Sequence, residues 1–316
     1  AAIFVATLLP FVAAVTALSD DGVLQALATT RLISESSLLT IRDQLSLVEL
    51  GRTQSLLTCA AFVLVLGLAD DWQGLPALVR LAVQIAGAAA LAALFPELRL
   101  PLDAPPALET LAAVLWIVAM TNAFNFLDNM NGLTAGLSIL VFSGAALMAF
   151  AFGELSLFLL CALLSGSAAG FLLFNFPGAS IFMGDAGGLF LGFLAGSVTL
   201  HLSGSVSAQS AALGFAPLLL LAVPAYDIVS VVSFRLAAGR APWTGDTNHI
   251  SHRLTRAGLS RRAAVLVIHA ASTATVALAF AIVLTPSRAP ELLAGGASAI
   301  LLIAIVDVIA WRTDRG

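Results

Sequence analysis

Long apolar runs decide what this chain can fold into. Ten of them stand out, at about 2–18, 54–69, 77–95, 108–125, 133–151, 156–175, 188–203, 211–234, 263–284 and 292–310. Each is long enough, or nearly so, to cross roughly 30 Å of hydrocarbon as a helix. Strands of a membrane barrel would instead read as short alternating segments. Composition agrees: 60% of the 316 residues are hydrophobic and only 10% charged, against about 45–50% and about 25% in soluble domains. There is too little polar surface to cover a soluble globule, and disordered, collagen-like and disulfide-scaffold classes fall with it. The expected fold is all-α: a polytopic integral membrane protein of about ten transmembrane helices, one domain over 1–316. Cys59 and Cys161 sit inside apolar runs, as buried small hydrophobes do. A net charge of −4 gives no case for nucleic acid. No basic segment precedes the first run, which argues against a cleaved signal peptide.

Two polar insertions set the sidedness. Segment 235–262 carries Arg235, Arg240, Arg253, Arg256, Arg261 and Arg262 against the single acid Asp246, so the positive-inside rule places it in the cytoplasm. Arg312 and Arg315 follow two spans later, on the same side. The mixed-sign stretch 20–53, with Asp20, Asp21, Arg31, Glu35, Arg42, Asp43, Glu49 and Arg52, is then expected outside.

Four polar clusters interrupt the pattern: Asp70-Asp71, Asn122–Asn131 (NAFNFLDNMN), Gly184–Gly188 (GDAGG) and Asp246–His252 (DTNHISH). Two spans separate each from the next, so all four should meet at the cytoplasmic face. Asn122, Asn125 and Asp128 recur at helical i, i+3, i+6 spacing and are expected near one helix face. Amides and a carboxylate there suit a hard cation or a polyoxygen ligand. Asp185 opens a helix in a Gly-rich turn, where free N–H groups favour anions. His249 and His252, with Arg253, make a better phosphate-binding set than a zinc pair, since no cysteine accompanies them. His201 and His269 are read as structural. Carboxylates facing a phosphate need a divalent cation between them, and Mg²⁺ takes few carboxylates plus substrate phosphates. A pyrophosphate substrate and a lipid co-substrate follow.

These motifs resemble one family, the polyprenyl-phosphate N-acetylhexosamine-1-phosphate transferases of glycosyltransferase family 4, in its WecA-like branch and related to MraY. GLADD with LPALVRLAVQ resembles the family's first aspartate motif, NAFNFLDNMNGL its NxxNxxDGxDGL motif, IFMGDAGGLFLG its FMGD motif, and GDTNHISHRLTRAGLS its histidine motif. The resemblance runs in order from about Gly67 to Ser260. It implies transfer of a sugar 1-phosphate from a UDP-N-acetylhexosamine to polyprenyl phosphate in the bacterial cytoplasmic (inner) membrane, releasing UMP, with Mg²⁺ or Mn²⁺ as cofactor. Carried over by position, Asp185 and Asn125 would be metal ligands. Asp70 and Asp71 would act on the lipid phosphate, as general base or orienting groups, and Asp128 is the third catalytic carboxylate. Asn122, Asp128, Asn131, Asp246, His249, His252 and Arg253 would bind substrate. Asn131 stands where most bacterial members have Asp, and Asn129 where they have Gly, which counts against a carboxylate nucleophile at 131. Asp227 matches a family aspartate, with no role assigned.

The resemblance also implies that the chain lacks a first helix and first cytoplasmic loop, and it leaves room for a homodimer. Two alternatives stand beside it. An MraY-type phospho-MurNAc-pentapeptide transferase would carry a run of three histidines instead of HISH. A cation-coupled transporter would use Asp227 and Asp307 within the membrane, yet transporter sites gather near the midplane.

Overall fold

A backbone segment in lipid must satisfy its own N–H and C=O groups, so long apolar runs become helices. The computed structural model describes residues 2–18, 22, 47–207, 209–298 and 300. It comprises α1 (Ala2–Leu18), α2 (Leu47–Gln73), α3 (Ala77–Leu94), α4 (Pro106–Leu127), α5 (Leu133–Ala151), α6 (Leu155–Asn175), α7 (Gly184–Ser207), α8 (Ala211–Gly214), α9 (Ala216–Leu219), α10 (Ala222–Ala237), α11 (Ile250–Arg256) and α12 (Arg261–Leu284), with further helix over 289–298. No strand occurs among the described residues. Seven of these helices are long and apolar enough to cross a membrane, and the chain is a multi-pass membrane protein.

Two expectations change. Residues 47–53, expected in an outer loop, form the first turns of α2. The run 211–234, expected as one span, is broken, its two halves meeting at 79°. Pro224, three residues into α10, has no N–H to give the Leu220 carbonyl, which interrupts the ladder at the break between α9 and α10. Helix α1, at 17 residues and interrupted by Pro10, is shorter than the other spans. Most of the expected outer loop lies outside the described residues, as do 301–310 of the last run, Asp307, Arg312 and Arg315.

Helix α7 is the centre, its apolar window 89% buried. It packs on α4 and α2, while α5 packs on α6 and α1 on α6. Gly67 explains how α2 lies so close to α7: a Cβ there would meet the Ala186 backbone at 2.4 Å. At one end of the bundle Arg52 pairs with Glu97 at 3.1 Å, and Glu154 pairs with His201 at 2.6 Å and accepts from Ser205 at 2.6 Å. Burial alone would raise the Glu154 carboxyl, but its bond to His201 holds it below the ordinary value. His269 sits against Gly136 and its Nε2 lies 3.1 Å from the Leu133 carbonyl. Both histidines are structural, as read from the sequence.

Gly67→Ala tests the α2–α7 contact. With no room for a methyl group, the substitution should cost about 1–3 kcal/mol. The check is a lower thermal midpoint in detergent, where Gly166→Ala, facing open space within α6, should not lower it.

Candidate active site

The last turns of α2 carry two adjacent carboxylates with different surroundings. Asp70 is buried. Its Oδ1 accepts from the Leu75 backbone N–H at 2.7 Å and its Oδ2 from Arg80 Nη1 at 2.5 Å. Asp71 is exposed and reaches the start of α7. Its Oδ1 accepts from the Asp185 backbone N–H at 2.8 Å and its Oδ2 from that of Ala186 at 3.2 Å. A side chain of one helix thus caps another. Gly184 makes this approach feasible: its φ is +67°, and a Cβ would lie 2.7 Å from Asp71 Oδ2. The N–H groups expected to face a phosphate are therefore occupied by Asp71.

Asp185, so anchored, turns its side chain toward α4 and α3. Its Oδ1 accepts from Asn125 Nδ2 at 2.6 Å, and its Oδ2 lies 3.6 Å from Arg80. Asp128 follows as the C-cap of α4. Burial, then the negative charges of Asp185 and Asp71, push its carboxyl up to about 7. The expected face of three residues is therefore two. Asn122, a turn deeper, donates to Gln84 Oε1 at 2.6 Å and to the Val118 carbonyl at 2.8 Å. Asn131 faces the other way, 3.4 Å from the Pro177 carbonyl.

Asp71, Asp128 and Asp185 thus repel one another around a space with one nearby guanidinium, Arg80. Excess negative charge of this kind suits a divalent cation. Among the described residues no group of three His, Cys, Asp or Glu side chains forms a metal site by itself. The donor set fits an ion that keeps few protein ligands and takes the rest from substrate oxygens.

The histidine segment folds back over the same end. Arg235, buried, binds Asp246 through Nε at 3.0 Å and Nη2 at 3.3 Å, donates to the Pro242 carbonyl at 2.6 Å and stacks 5.3 Å from the Phe126 ring. Burial opposes ionisation of Asp246, yet the Arg235 bond holds its carboxyl below the ordinary value. Asp246 is thus committed to anchoring the loop. Arg253 is turned toward α10: it donates to Ser230 Oγ at 3.0 Å and to the Asn248 carbonyl, and lies over Phe234. His249 Nδ1 is 2.7 Å from Asp227 Oδ2, and its ring packs against Phe126. Ser251 donates to Asn129 Oδ1 at 2.7 Å. His252 is half-buried, and desolvation followed by nearby positive groups, Arg256 and Arg261 among them, pushes it below its ordinary value.

All four clusters therefore converge, through Asp71–Asp185, Asn125–Asp185, Phe126–His249 and Asn129–Ser251. Sequence reasoning missed Arg80, which reads as a lone charge near the start of an apolar run, and the ties made by Phe126 and Asn129. Asp227, which a transporter would need open within the membrane, is fully buried with both oxygens bonded.

Comparison with known proteins fits this geometry. Residues 53–203 match the sequence profile described as glycosyl transferase family 4. The chain is similar to a probable undecaprenyl-phosphate N-acetylglucosaminyl 1-phosphate transferase of Bacillus subtilis (strain 168), 36% identical over 224 residues, which are 67% of this chain and 61% of the relative. It is similar to a decaprenyl-phosphate N-acetylglucosaminephosphotransferase of Mycolicibacterium smegmatis, 32% identical over 243 residues, 68% of this chain and 59% of the relative. An undecaprenyl-phosphate alpha-N-acetylglucosaminyl 1-phosphate transferase of Yersinia pestis is 33% identical over 162 residues, 49% of this chain and 43% of the relative. The chain thus spans about three fifths of the first two relatives' length.

Asp128 gives a stability test. A carboxyl held near 7 stays protonated in the folded chain after the unfolded chain's has ionised. The unfolded state then binds fewer protons, so stability falls as pH rises from about 4 toward 7 and levels off above. Thermal midpoints in metal-free buffer should show this fall, and Asp128→Asn should flatten it.

Proposed function

The chain belongs to glycosyl transferase family 4, and on that premise we propose that it transfers N-acetylhexosamine 1-phosphate from a UDP-sugar to a polyprenyl phosphate, releasing UMP. GlcNAc 1-phosphate is the favoured group, undecaprenyl phosphate the favoured acceptor, and the start of a lipid-linked envelope glycan the favoured role. The site lies at the cytoplasmic face of the bacterial inner membrane. One observation carries this: three mutually repelling carboxylates, Asp71, Asp128 and Asp185, stand at the bundle end over which the Arg- and His-bearing loop folds. Charge of both signs around one space suits a pyrophosphate donor, and apolar helices beneath it suit a lipid acceptor.

In the transfer, an oxygen of the polyprenyl phosphate attacks the sugar-bearing phosphorus. The bond from that phosphorus to the bridging oxygen breaks, and its electron pair leaves with UMP. Asp185 and the side-chain oxygen of Asn125 would hold a divalent cation, Mg²⁺ or Mn²⁺, which would supply neutralisation of the pyrophosphate charge. Asp128 is the proton acceptor for a protonated lipid phosphate: its carboxyl is partly open and lies near Asp185 and Asp71. Asp70 and Asp71 act at one remove: Asp70 orients Arg80, and Asp71 fixes the start of α7 and so Asp185. Arg80, bridging Asp70 and Asp185, is placed to meet a phosphate oxygen. His249 and His252 contact the donor's phosphates, while Asp246 and Arg253 hold the loop that carries them. The HISH form favours the N-acetylglucosamine branch over the pentapeptide branch.

Purified protein given UDP-GlcNAc, undecaprenyl phosphate and Mg²⁺ should release UMP, and chelation should stop it. Asp185→Asn should lower turnover on the order of 100-fold or more, the loss typical of one missing charge-stabilising group. Release without divalent metal, or an Asp185→Asn variant as active as wild type across a Mg²⁺ titration, would overturn the assignment.

A further inference from the structure

A carboxylate inside an apolar helix is costly unless it is paired. Asp227 lies in α10, ten residues before that helix ends at Ala237, and is completely buried. Both of its oxygens are taken from one segment. Oδ2 is 2.7 Å from His249 Nδ1, and Oδ1 accepts from the Ile250 N–H at 2.6 Å. The loop over 239–249 therefore returns to the flank of α10, which seats His249 at the base of the segment instead of leaving it on a free loop. The bond also decides the ring's chemistry. With Nδ1 donating to a carboxylate, Nε2 is the nitrogen left for another partner. Nε2 makes no hydrogen bond among the described residues and is not sealed from solvent. Phe126, two residues before Asp128 on α4, packs against the same imidazole with ring centroids 5.6 Å apart and closes off its rotation. The ring is thus fixed by a carboxylate on one edge and an aromatic on its flank, with its second nitrogen left for another partner.

We infer that Asp227 is a positioning residue for the donor: its carboxylate accepts from His249 Nδ1–H and balances the charge of a ring protonated on both nitrogens, so that Nε2–H donates to a phosphate oxygen of the UDP-sugar. This rests on the transferase function proposed above. It separates two effects that a mutation of Asp227 would otherwise mix, since the same carboxylate also caps α11 through Ile250.

Three variants separate them in full-length protein, with UDP-GlcNAc as donor and undecaprenyl phosphate as acceptor. Asp227→Asn keeps the shape and can still cap α11, but it has no charge to balance an imidazolium, and an amide nitrogen that donates to Nδ1 leaves the ring neutral and its hold on an anionic phosphate weaker. The donor KM should rise about 10- to 100-fold, the scale on which carboxylates behind working histidines act, with the acceptor KM within twofold of wild type. In a His249→Ala background the same substitution should add less than twofold, because the two act as one unit. Ile250→Pro removes the capping N–H, and with it part of the apolar side chain packed against the Leu127 and Val265 cluster, but leaves the Asp227–His249 pair in place. His249 already has φ −64° and ψ 151°, the conformation a following proline requires, and proline is tolerated at a first helical position. Its donor KM should stay within twofold. UDP affinity by calorimetry follows the same order and does not depend on turnover.

An unchanged donor KM in Asp227→Asn would overturn the inference alone, given active wild type. So would a full effect of Asp227→Asn without His249, or an Ile250→Pro variant as impaired as Asp227→Asn. If Asp227→Asn fails to fold, His249→Gln replaces it, and an unchanged UDP affinity there would overturn the inference equally. Wild-type protein that binds UDP, with Asp227→Asn weakening it, but releases no UMP would overturn the transferase function while leaving the Asp227–His249 coupling standing.

Discussion

Asp71 reaching across to the start of α7 is the contact on which the rest of the site depends. Helix α7 is the most enclosed span in the bundle, and its first N–H groups have no intrahelical partners. A carboxylate from α2 satisfies two of them. That contact sets the register of α2 against α7. It requires a glycine at 184, where any side chain would strike the carboxylate. It also fixes the backbone of Asp185, whose side chain is then aimed at Asn125 and Arg80. Asp71 thus joins α2 to α7 directly, and Asp185 extends the contact to α4 and α3.

The acids then divide into two kinds. Asp70, Asp227 and Asp246 are each held by a cation, a histidine or backbone N–H groups, and each fixes a piece of backbone or a basic side chain. Asp128 and Asp185 keep part of their surface open and lie near other negative charge. The first kind is what lets an apolar bundle tolerate carboxylates at all. The second kind is incompletely paired, which leaves room for a cation, a proton or a phosphate. At the opposite end, Arg52–Glu97 and Glu154–His201 are paired and belong to the structural group.

Sequence alone settled the class of fold. Twenty-residue apolar runs allow only membrane-spanning helices, and span parity put four polar clusters at one end. Asp185 and Asn125 were readable as neighbours because each sits at a helix end in a polar run, and the two are hydrogen-bonded. The role of individual acids was not readable. Asp70 and Asp71 are adjacent in sequence and alike in composition, yet one is buried against Arg80 and the other caps α7, since successive helical residues point about 100° apart.

Periodicity also grouped Asn122 with Asn125 and Asp128, where a single turn of depth was enough to give Asn122 to Gln84. The break in 211–234 needed the tertiary context as well, because prolines occur in membrane helices that stay straight enough to span. What the chain determined by itself was which residues could not lie in lipid, and at which end of the bundle they had to gather. Which of them hold the structure and which stay open was decided only by packing: a carboxylate becomes structural when an unpaired N–H or guanidinium from another helix lies within reach, and local sequence does not specify that distance.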